Sequence, residues 1–231
     1  MTAPSKTVRA ADIPVLYEDE WLLAVDKPAG IIVHPDGAGT PNLLDILKQA
    51  RGARASSLQP VQRLDRDTTG IVLICKDKAL QPDLDRMVAE RRISKRYLAA
   101  VRGLFPQGVT RIDEPIGRDR HDSRRMRVSR TGKPSSTRVA LAAHEGARPG
   151  APDRSLLLVD LLTGRRHQIR VHLAHLGFPI LGDALYGSGR QNGPLMLHAF
   201  RESFDHPVTG APVLIRTAVP ARFSRLFPGW G

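Results

Sequence analysis

The sequence predicts an α+β protein whose sheet is mixed or largely antiparallel. Runs such as VLYEDEWLLAV (15–25) and SLLLVDLL (155–162) have the length and composition of strands. Other stretches space their apolar residues as one face of a helix does. Strands and helices mix without a regular β-α-β alternation, so an α+β arrangement is favoured over α/β.

The first strand-like run reads as a strand, an acidic turn and a second strand, followed by a turn at Pro28–Gly30. Residues 145–154, EGARPGAPDR, are rich in Gly and Pro and predict a loop and a seam between sub-domains. Residues 1–13 are polar and are expected to be loose. Further strands are predicted in the apolar run Ile71–Ile74, at 95–103 and at 136–144.

Three helices are predicted from apolar residues at helical spacing. The first has Thr40 as N-cap and Pro41 at the first helical position. The third has Thr163 as its cap and ends at Gly177. The apolar faces are Leu43, Leu44 and Leu47, then Leu80, Leu84, Met87 and Val88, and finally Ile169, Leu173 and Leu176.

The charge of the chain predicts an anionic partner. The formal net charge is +12, and residues 118–133 (RDRHDSRRMRVSRTGK) hold seven Lys or Arg against two Asp. A GC-rich coding bias would also raise the Arg content, but it would not concentrate the charge in one segment. The clustering therefore favours a nucleic-acid surface.

Several classes of site and location are disfavoured. The sequence has no GxxxxGK[ST], GxGxxG, CxxC or HExxH motif, and thus no usual signature of nucleotide hydrolysis, dinucleotide redox chemistry or zinc binding. Its one cysteine, Cys75, is predicted to be a small buried hydrophobe, which fits a reducing compartment. The N-terminus has no apolar signal region and no segment has the apolar length of a membrane span, so a cytoplasmic protein is expected.

Three histidines, His167, His172 and His175, fall on the third predicted helix. Spacings of five and three residues do not put all three on one face with a fourth ligand. No metal site is predicted, and the histidines are expected to be solvated or to face RNA.

The segment RLDRDTTG (63–70) is the strongest candidate for chemistry. A surface turn would explain its Asp, Thr and Gly content. However, Asp65 lies within six residues of a buried strand, and its carboxylate should be partly desolvated. Such a carboxylate needs a compensating charge, which the basic stretch GRRHQIRVH would supply. A desolvated Asp with an Arg partner is a candidate nucleophile or general base.

These residues carry a family resemblance. VQRLDRDTTGIVLICKDK resembles the HRLDxxTSG segment of the RluA-type pseudouridine synthases, which isomerise uridine in ribosomal or transfer RNA. Further stretches resemble the family's other segments in the same order: VLYEDEWLLAVDKPAGIIVHP, ISKRYLAAVRG, TGRRHQIRVHLAHLGFPILGDALYG and LMLHAF.

The resemblance implies the pseudouridine synthase fold, with helices flanking the sheet and an active-site cleft across it. It implies one catalytic domain over 1–231, in the compact branch without the small N-terminal RNA-binding domain, and 118–133 as an RNA-contacting insert. Neither a cofactor nor a metal is expected, since the reaction consumes nothing and changes no redox state. The expected partner is ribosomal or transfer RNA rather than a membrane, and the expected state is a monomer.

By resemblance Asp65 is the nucleophile, acting on the ribose anomeric carbon, on the uracil ring, or by deprotonating the sugar. Tyr97 stacks on the base, and Arg170 pairs with the aspartate while Ile169 anchors the helix and Arg170 points away. Arg63 fills the space that the flipped uridine leaves. Further contacts to RNA are expected from Arg66, Arg165, His167, Arg124, Arg125 and Arg127.

One departure from the family pattern is Gln62, which stands where the family has a His. Gln still forms hydrogen bonds but does not titrate, so no catalytic proton role is expected there. Two alternatives stay open: a non-catalytic RNA-binding or ribosome-assembly factor that keeps the fold, and a glycosidase that uses Asp65 to release uracil.

Overall fold

A computed structural model of the chain describes residues 8–52, 57–147, 152–187 and 193–230. The strands are β1 (Val15–Glu18), β2 (Leu22–Lys27), β3 (Gln59–Pro60), β4 (Thr69–Cys75), β5 (Ser94–Arg102), β6 (Arg111–Ile112), β7 (Ile116–Arg118), β8 (Met126–Val128), β9 (Thr137–Glu145), β10 (Arg154–Leu161), β11 (Leu197–Asp205) and β12 (Pro212–Arg216). The helices are α1 (Leu43–Arg51), α2 (Gln81–Ala89), α3 (Gln168–His175) and the short α4 (Ala221–Ser224), with a 3-10 turn at Ala10–Asp12. The predicted mixture of antiparallel strands and helices is confirmed.

The chain divides into two compact units. The first comprises Met1–Ile93 and Arg201–Thr217, and the second comprises Ser94–Phe200 and Ala218–Gly231. Strand β11 runs from the second unit into the first.

The first unit is built around β4, whose seven residues are all buried. Its sequence, TGIVLIC, has no charged side chain, as a strand covered on both faces requires. Strand β2 pairs antiparallel with β4 from Leu22–Cys75 to Lys27–Gly70, and β1 adds to β2. Burial of Cys75 confirms the prediction made for it.

The second unit contains a sheet in which β10 pairs antiparallel with β5 on one side and β9 on the other. Strand β6 pairs antiparallel with β9, and β7 and β8 form a separate two-stranded ribbon. The 145–154 stretch connects β9 to β10, which pair as far as Glu145 and Arg154. The predicted seam is therefore wrong: this stretch joins neighbouring strands of one unit, and the units divide elsewhere. Residues 148–151 of it lie outside the described residues.

The first helix starts two residues later than predicted. Asn42, not Thr40, is the N-cap, and its side-chain oxygen accepts the Asp45 amide at 2.9 Å. Asn42 is extended and forms a bridge with Ile32, which keeps Pro41 outside the helix. The apolar face Leu43, Leu44 and Leu47 is buried as predicted.

The third helix also starts later than predicted, because Thr163 is not its cap. The helix begins at Gln168, after His167 in a left-handed conformation with φ of 57°. The Gln168 side chain accepts from Thr163 Oγ1 at 2.8 Å and from the Arg165 amide at 3.0 Å. This amide side chain holds residues 163–167 as a loop, which delays the first turn. The predicted end at Gly177 is confirmed by its φ of 86°.

In the ranges that the structure describes, no helix combines the length and apolar character needed to cross a membrane.

Lys27, the last residue of β2, is fully buried. Its ammonium donates to the carbonyl oxygens of Pro28, Ile31 and Arg66 at 2.9, 2.8 and 3.0 Å. Burial lowers the pKa of Lys27 to about 8, against the opposing effect of nearby carboxylates, of which Asp67 and Asp65 are the strongest. One cation therefore ties the 28–31 turn to the segment before β4.

We expect the Lys27→Met variant to be less stable by roughly 2–4 kcal/mol at pH 7, because three buried carbonyl groups lose their donor. The pKa of Lys27 is lower in the folded than in the unfolded chain. The unfolded chain thus binds the extra proton above pH 8, and the wild-type free energy of unfolding rises with pH there. Denaturant unfolding should show the gap between wild type and variant widening by about 2 kcal/mol between pH 7 and pH 9.5. An equal gap at both pH values would contradict this account of Lys27.

Candidate active site

The candidate nucleophile Asp65 lies in a tight turn between β3 and β4. The Thr68 amide donates to the Asp65 carbonyl at 3.2 Å and closes the turn. Leu64, Thr68 and Thr69 are buried around it, whereas Asp65 itself is half-buried. The carboxylate is therefore partly withdrawn from water while its backbone is fixed.

The turn is attached to the rest of the first unit through Arg66. The Arg66 carbonyl accepts from Lys27 Nζ and from the Gly30 amide, both at 3.0 Å. Its Nε donates to the Gly30 carbonyl at 3.1 Å. The side chain of Arg66 is exposed, so part of its guanidinium is open to solvent while the backbone fastens the turn.

Arg63 is exposed on the same turn. Burial and, secondarily, the positive charge of Arg63 lower the pKa of His34. His34 was not among the predicted site residues, although it lies in the VHP stretch of the first quoted motif. This electrostatic effect indicates that the two side chains lie near each other.

Gln62, which replaces the family's His, donates a hydrogen bond from Nε2 to Oε1 of Glu202. Glu202 is buried in β11 opposite Ile215 of β12. The residue three positions before Asp65 is thus tied to a buried carboxylate. Sequence reasoning did not identify Glu202, which lies beyond the quoted motifs.

In the second unit, Tyr97 lies on β5 opposite Val159 of β10 and is mostly buried. Helix α3 carries Arg170, which forms a two-pronged ion pair with Asp183 at 2.8 and 2.9 Å. The side chains of Arg170 and Asp183 are 8% and 0% exposed. Arg170 therefore does not point away from the core as predicted. Its pairing with Asp65 stays a prediction.

Asp183 is held as an anion. Burial alone would raise the pKa of Asp183, but the hydrogen bond and charge of Arg170 lower it below its ordinary value. The amides of Leu185 and Tyr186 also donate to Oδ1, at 2.9 and 3.1 Å. The preceding Gly182 has a φ of 75°, and a Cβ there would lie 2.0 Å from the Pro194 carbonyl oxygen. The GDALYG sequence thus forms a compact loop around a buried carboxylate.

The three histidines at and within α3, His167, His172 and His175, differ in their surroundings. His172 is fully buried, so the expectation of a solvated or RNA-facing side chain is wrong for it. Its Nδ1 lies 2.9 Å from Thr137 Oγ1, and its Nε2 lies 2.9 Å from the Glu114 carbonyl oxygen. Burial lowers the pKa of His172. His175 is exposed, whereas His167 is half-buried with Nδ1 2.8 Å from Tyr186 Oη.

The predicted RNA-contacting segment, 118–133, overlaps the β7–β8 ribbon, hereafter the basic hairpin (residues 116–128). Arg124 is exposed and forms an ion pair with Asp122 at 2.7 Å. Arg127 is exposed opposite Gly117. Arg125 is half-buried, with its guanidinium carbon 5.2 Å from the centre of the Tyr186 ring.

The basic hairpin contacts the start of α3. Arg166 Nη2 donates to the Arg124 carbonyl at 3.1 Å. Arg165 is exposed, with its Nε donating to the Pro134 carbonyl at 3.2 Å. The second unit therefore brings Arg124, Arg125, His167 and Arg170 into one region. Asp65, Arg63 and Arg66 belong to the first unit.

Sequence reasoning missed several residues that hold these groups in place. Each lies inside a quoted family segment, but side-chain type alone did not show that it would be withdrawn from solvent, wholly or in part, and hydrogen-bonded. They are Lys27, Gln168, Asp183 and Tyr186.

The chemistry available to this set is that of carboxylate and guanidinium groups. A fixed carboxylate serves as a nucleophile or base, and exposed guanidiniums bind phosphate. Across the described ranges, no three His, Cys, Asp or Glu side chains are grouped as metal ligands would be.

Comparison with known proteins identifies the family. A family model described as RNA pseudouridylate synthase matches residues 21–175. The chain is 35% identical over 221 residues to YhcT of Bacillus subtilis, an uncharacterized RNA pseudouridine synthase, covering 93% of this chain and 71% of the relative. It is 37% identical over 236 residues to ribosomal large subunit pseudouridine synthase D of Xanthomonas campestris, covering 93% and 69%.

A solved structure agrees with these matches. Human RNA pseudouridylate synthase domain containing 1 superimposes with a TM-score of 0.77 at 29% identity, over 94% of this chain and 87% of the human chain. The predicted fold and activity are thereby confirmed. The chain belongs to the RluA family of RNA pseudouridine synthases, enzymes that isomerise uridine to pseudouridine in RNA.

Proposed function

We propose that Asp65 is the nucleophile with which this enzyme converts uridine to pseudouridine in ribosomal RNA. The observation that carries the assignment is a half-buried carboxylate on a turn fixed by Lys27 and Gly30. A catalytic group held this way needs little reorganisation when it reacts. Asp67 is in the same turn but exposed, which makes it a weaker candidate.

The reaction breaks the bond between the ribose anomeric carbon and N1 of uracil. Uracil then rotates, its C5 bonds to the anomeric carbon, and the proton on C5 is transferred to N1 through the site, so no atom is gained or lost overall. Asp65 would act by attack on the anomeric carbon, by addition to the ring, or by removing a sugar proton. Tyr97 would stack on the base and assist loss of the C5 proton, and Arg170 would pair with the Asp65 carboxylate.

The target uridine must leave its stack to reach Asp65, at a cost of a few kcal/mol. Arg63, exposed two residues before Asp65, would occupy the vacated position. Its guanidinium is planar and stacks on bases as well as donating to their edges. Arg66, exposed on the same turn, would contact the neighbouring backbone.

Binding would depend chiefly on phosphate contacts. The basic hairpin supplies Arg124, Arg125 and Arg127, and the start of α3 supplies Arg165 and His167. Only 5% of the residues are aromatic, which disfavours a row of base-stacking side chains.

We assign large-subunit ribosomal RNA as the substrate pool because relatives 36–37% identical carry that target in their names. The two units would act as a single catalytic domain, as a monomer, in the cytoplasm.

The alternatives are a non-catalytic RNA-binding factor and a uracil-releasing glycosidase. The presence of Asp65, Tyr97 and Arg170 together favours the synthase over the first. The second differs in its product, which an assay separates directly.

The Asp65→Asn variant should lose turnover by on the order of 10⁴-fold or more, because an amide is neither a nucleophile nor a base of useful strength. The measurement is tritium release from ribosomal and transfer RNA labelled at C5 of uridine and taken from cells lacking the protein. Affinity for RNA should change by no more than about twofold, since the two side chains have nearly the same shape.

The matched control is Asp67→Asn, which removes the same charge from an exposed position of the same turn. It should keep turnover within a few-fold of wild type. An equal loss of turnover in both variants would contradict the assignment of Asp65 as the nucleophile. Free uracil among the products would favour the glycosidase, and release from transfer RNA alone would overturn the ribosomal assignment.

We expect the double variant Arg127→Gln/Arg130→Gln to weaken RNA binding and to reduce the slope of log affinity against log salt by about 0.7 for each lost phosphate contact. Both side chains are exposed, and Arg127 is in the basic hairpin. The measurement is a salt titration of binding by fluorescence anisotropy. Arg86→Gln, an exposed arginine on α2, is the control and should leave the slope unchanged. An unchanged slope in the double variant would remove this segment from the RNA surface.

A further inference from the structure

Tyr186 contacts three parts of the second unit through its hydroxyl and ring. Its Oη accepts the Met126 amide of the basic hairpin at 2.8 Å and lies 2.8 Å from His167 Nδ1. Because the hydroxyl uses a lone pair for the amide, its own hydrogen is available to the imidazole. One hydroxyl group therefore joins the hairpin to the residue that precedes α3.

The Tyr186 ring contacts two arginines. The guanidinium carbons of Arg125 and Arg170 each lie 5.2 Å from the ring centre, within the range of a cation–π interaction. Arg125 belongs to the basic hairpin and Arg170 to α3. Two like charges on one ring repel each other, but the buried Asp183 neutralises one of them.

The backbone of Tyr186 is fixed by the same carboxylate. Its amide donates to Asp183 Oδ1 at 3.1 Å, while Arg170 bonds both oxygens of Asp183. A displacement of the Tyr186 ring thus acts on Arg170 in two ways, through the ring face and through the shared carboxylate. Arg125, on the other side of this arrangement, belongs to the basic hairpin, so the same ring contacts both the hairpin and α3.

We propose that Tyr186 is a positioning residue that couples the seating of the basic hairpin on RNA to the orientation of Arg170. The inference rests on the proposed role of Arg170 in the active site. The hydroxyl and the ring of Tyr186 have different roles. The hydroxyl fixes the hairpin to α3 and sets RNA affinity, whereas the ring supports Arg170 and sets the rate on bound RNA.

Two substitutions separate these roles. Tyr186→Phe keeps the ring and removes the hydroxyl, so RNA affinity should fall about tenfold while the rate at saturating RNA stays within about twofold. Tyr186→Leu removes both, so affinity should fall similarly and the rate at saturating RNA should fall about tenfold or more. Single-turnover tritium release gives the rate, and fluorescence anisotropy gives the affinity.

A purely structural role predicts a different pattern. Rate and affinity would then fall together in both variants, in proportion to the loss of thermal stability. Equal rates at saturation for the Phe and Leu variants would overturn the role of the ring. Unchanged affinity in the Phe variant would overturn the role of the hydroxyl.

Amide hydrogen exchange provides a measurement that does not depend on activity. The Met126 amide loses its acceptor in Tyr186→Phe, and a peptide covering 120–130 should exchange about tenfold faster in the free protein. Unchanged exchange would contradict the link between the hairpin and α3. If wild type itself released no tritium, the proposed function would fail and the role of Arg170 with it. The hairpin part would then be decided by exchange and affinity alone.

Discussion

The buried ammonium of Lys27 is the interaction on which the candidate active site most depends. Burying a lysine away from solvent costs free energy, and the same burial lowers the pKa of Lys27. Three carbonyl oxygens offset the cost, and one of them belongs to Arg66, the residue after Asp65. The backbone position of the candidate nucleophile is thus fixed by hydrogen bonds to the residue that follows it.

A comparable arrangement occurs in the second unit with the charges reversed. Asp183 is a buried anion that receives the Arg170 guanidinium and two backbone amides. In each unit a buried ion of one sign orders a loop by bonding backbone groups, and a candidate catalytic or RNA-contacting residue is next to that loop. Buried ions of this kind contribute little net stability, yet removing their partners is costly. Their value here is in fixing geometry.

Much of the architecture could be predicted from the sequence. Unbroken apolar runs gave β4 and β10, and helical spacing gave the buried face of α1, because these signals come from side-chain burial. The starts of α1 and α3 could not be predicted in the same way. They depend on the bridge between Asn42 and Ile32 and on the bonds that the Gln168 side chain accepts from Thr163 and Arg165, which the spacing of apolar residues does not reveal.

Some residues of the candidate site were predicted from the sequence and others were not. Asp65, Tyr97 and Arg170 were identified by resemblance, since their motifs are long and specific. Lys27 and Tyr186 were not, because a lysine and a tyrosine usually lie at or near the surface. Only the structure shows that one is fully buried and that the other joins a hairpin to a helix.

The hydrogen bond between Gln62 and Glu202 has a consequence for adaptation to acidity. A histidine at position 62 would titrate within the physiological range and, when protonated, would place a positive charge beside Glu202. The amide of Gln62 has the same charge at every physiological pH, so position 62 adds no titrating group beside the buried Glu202.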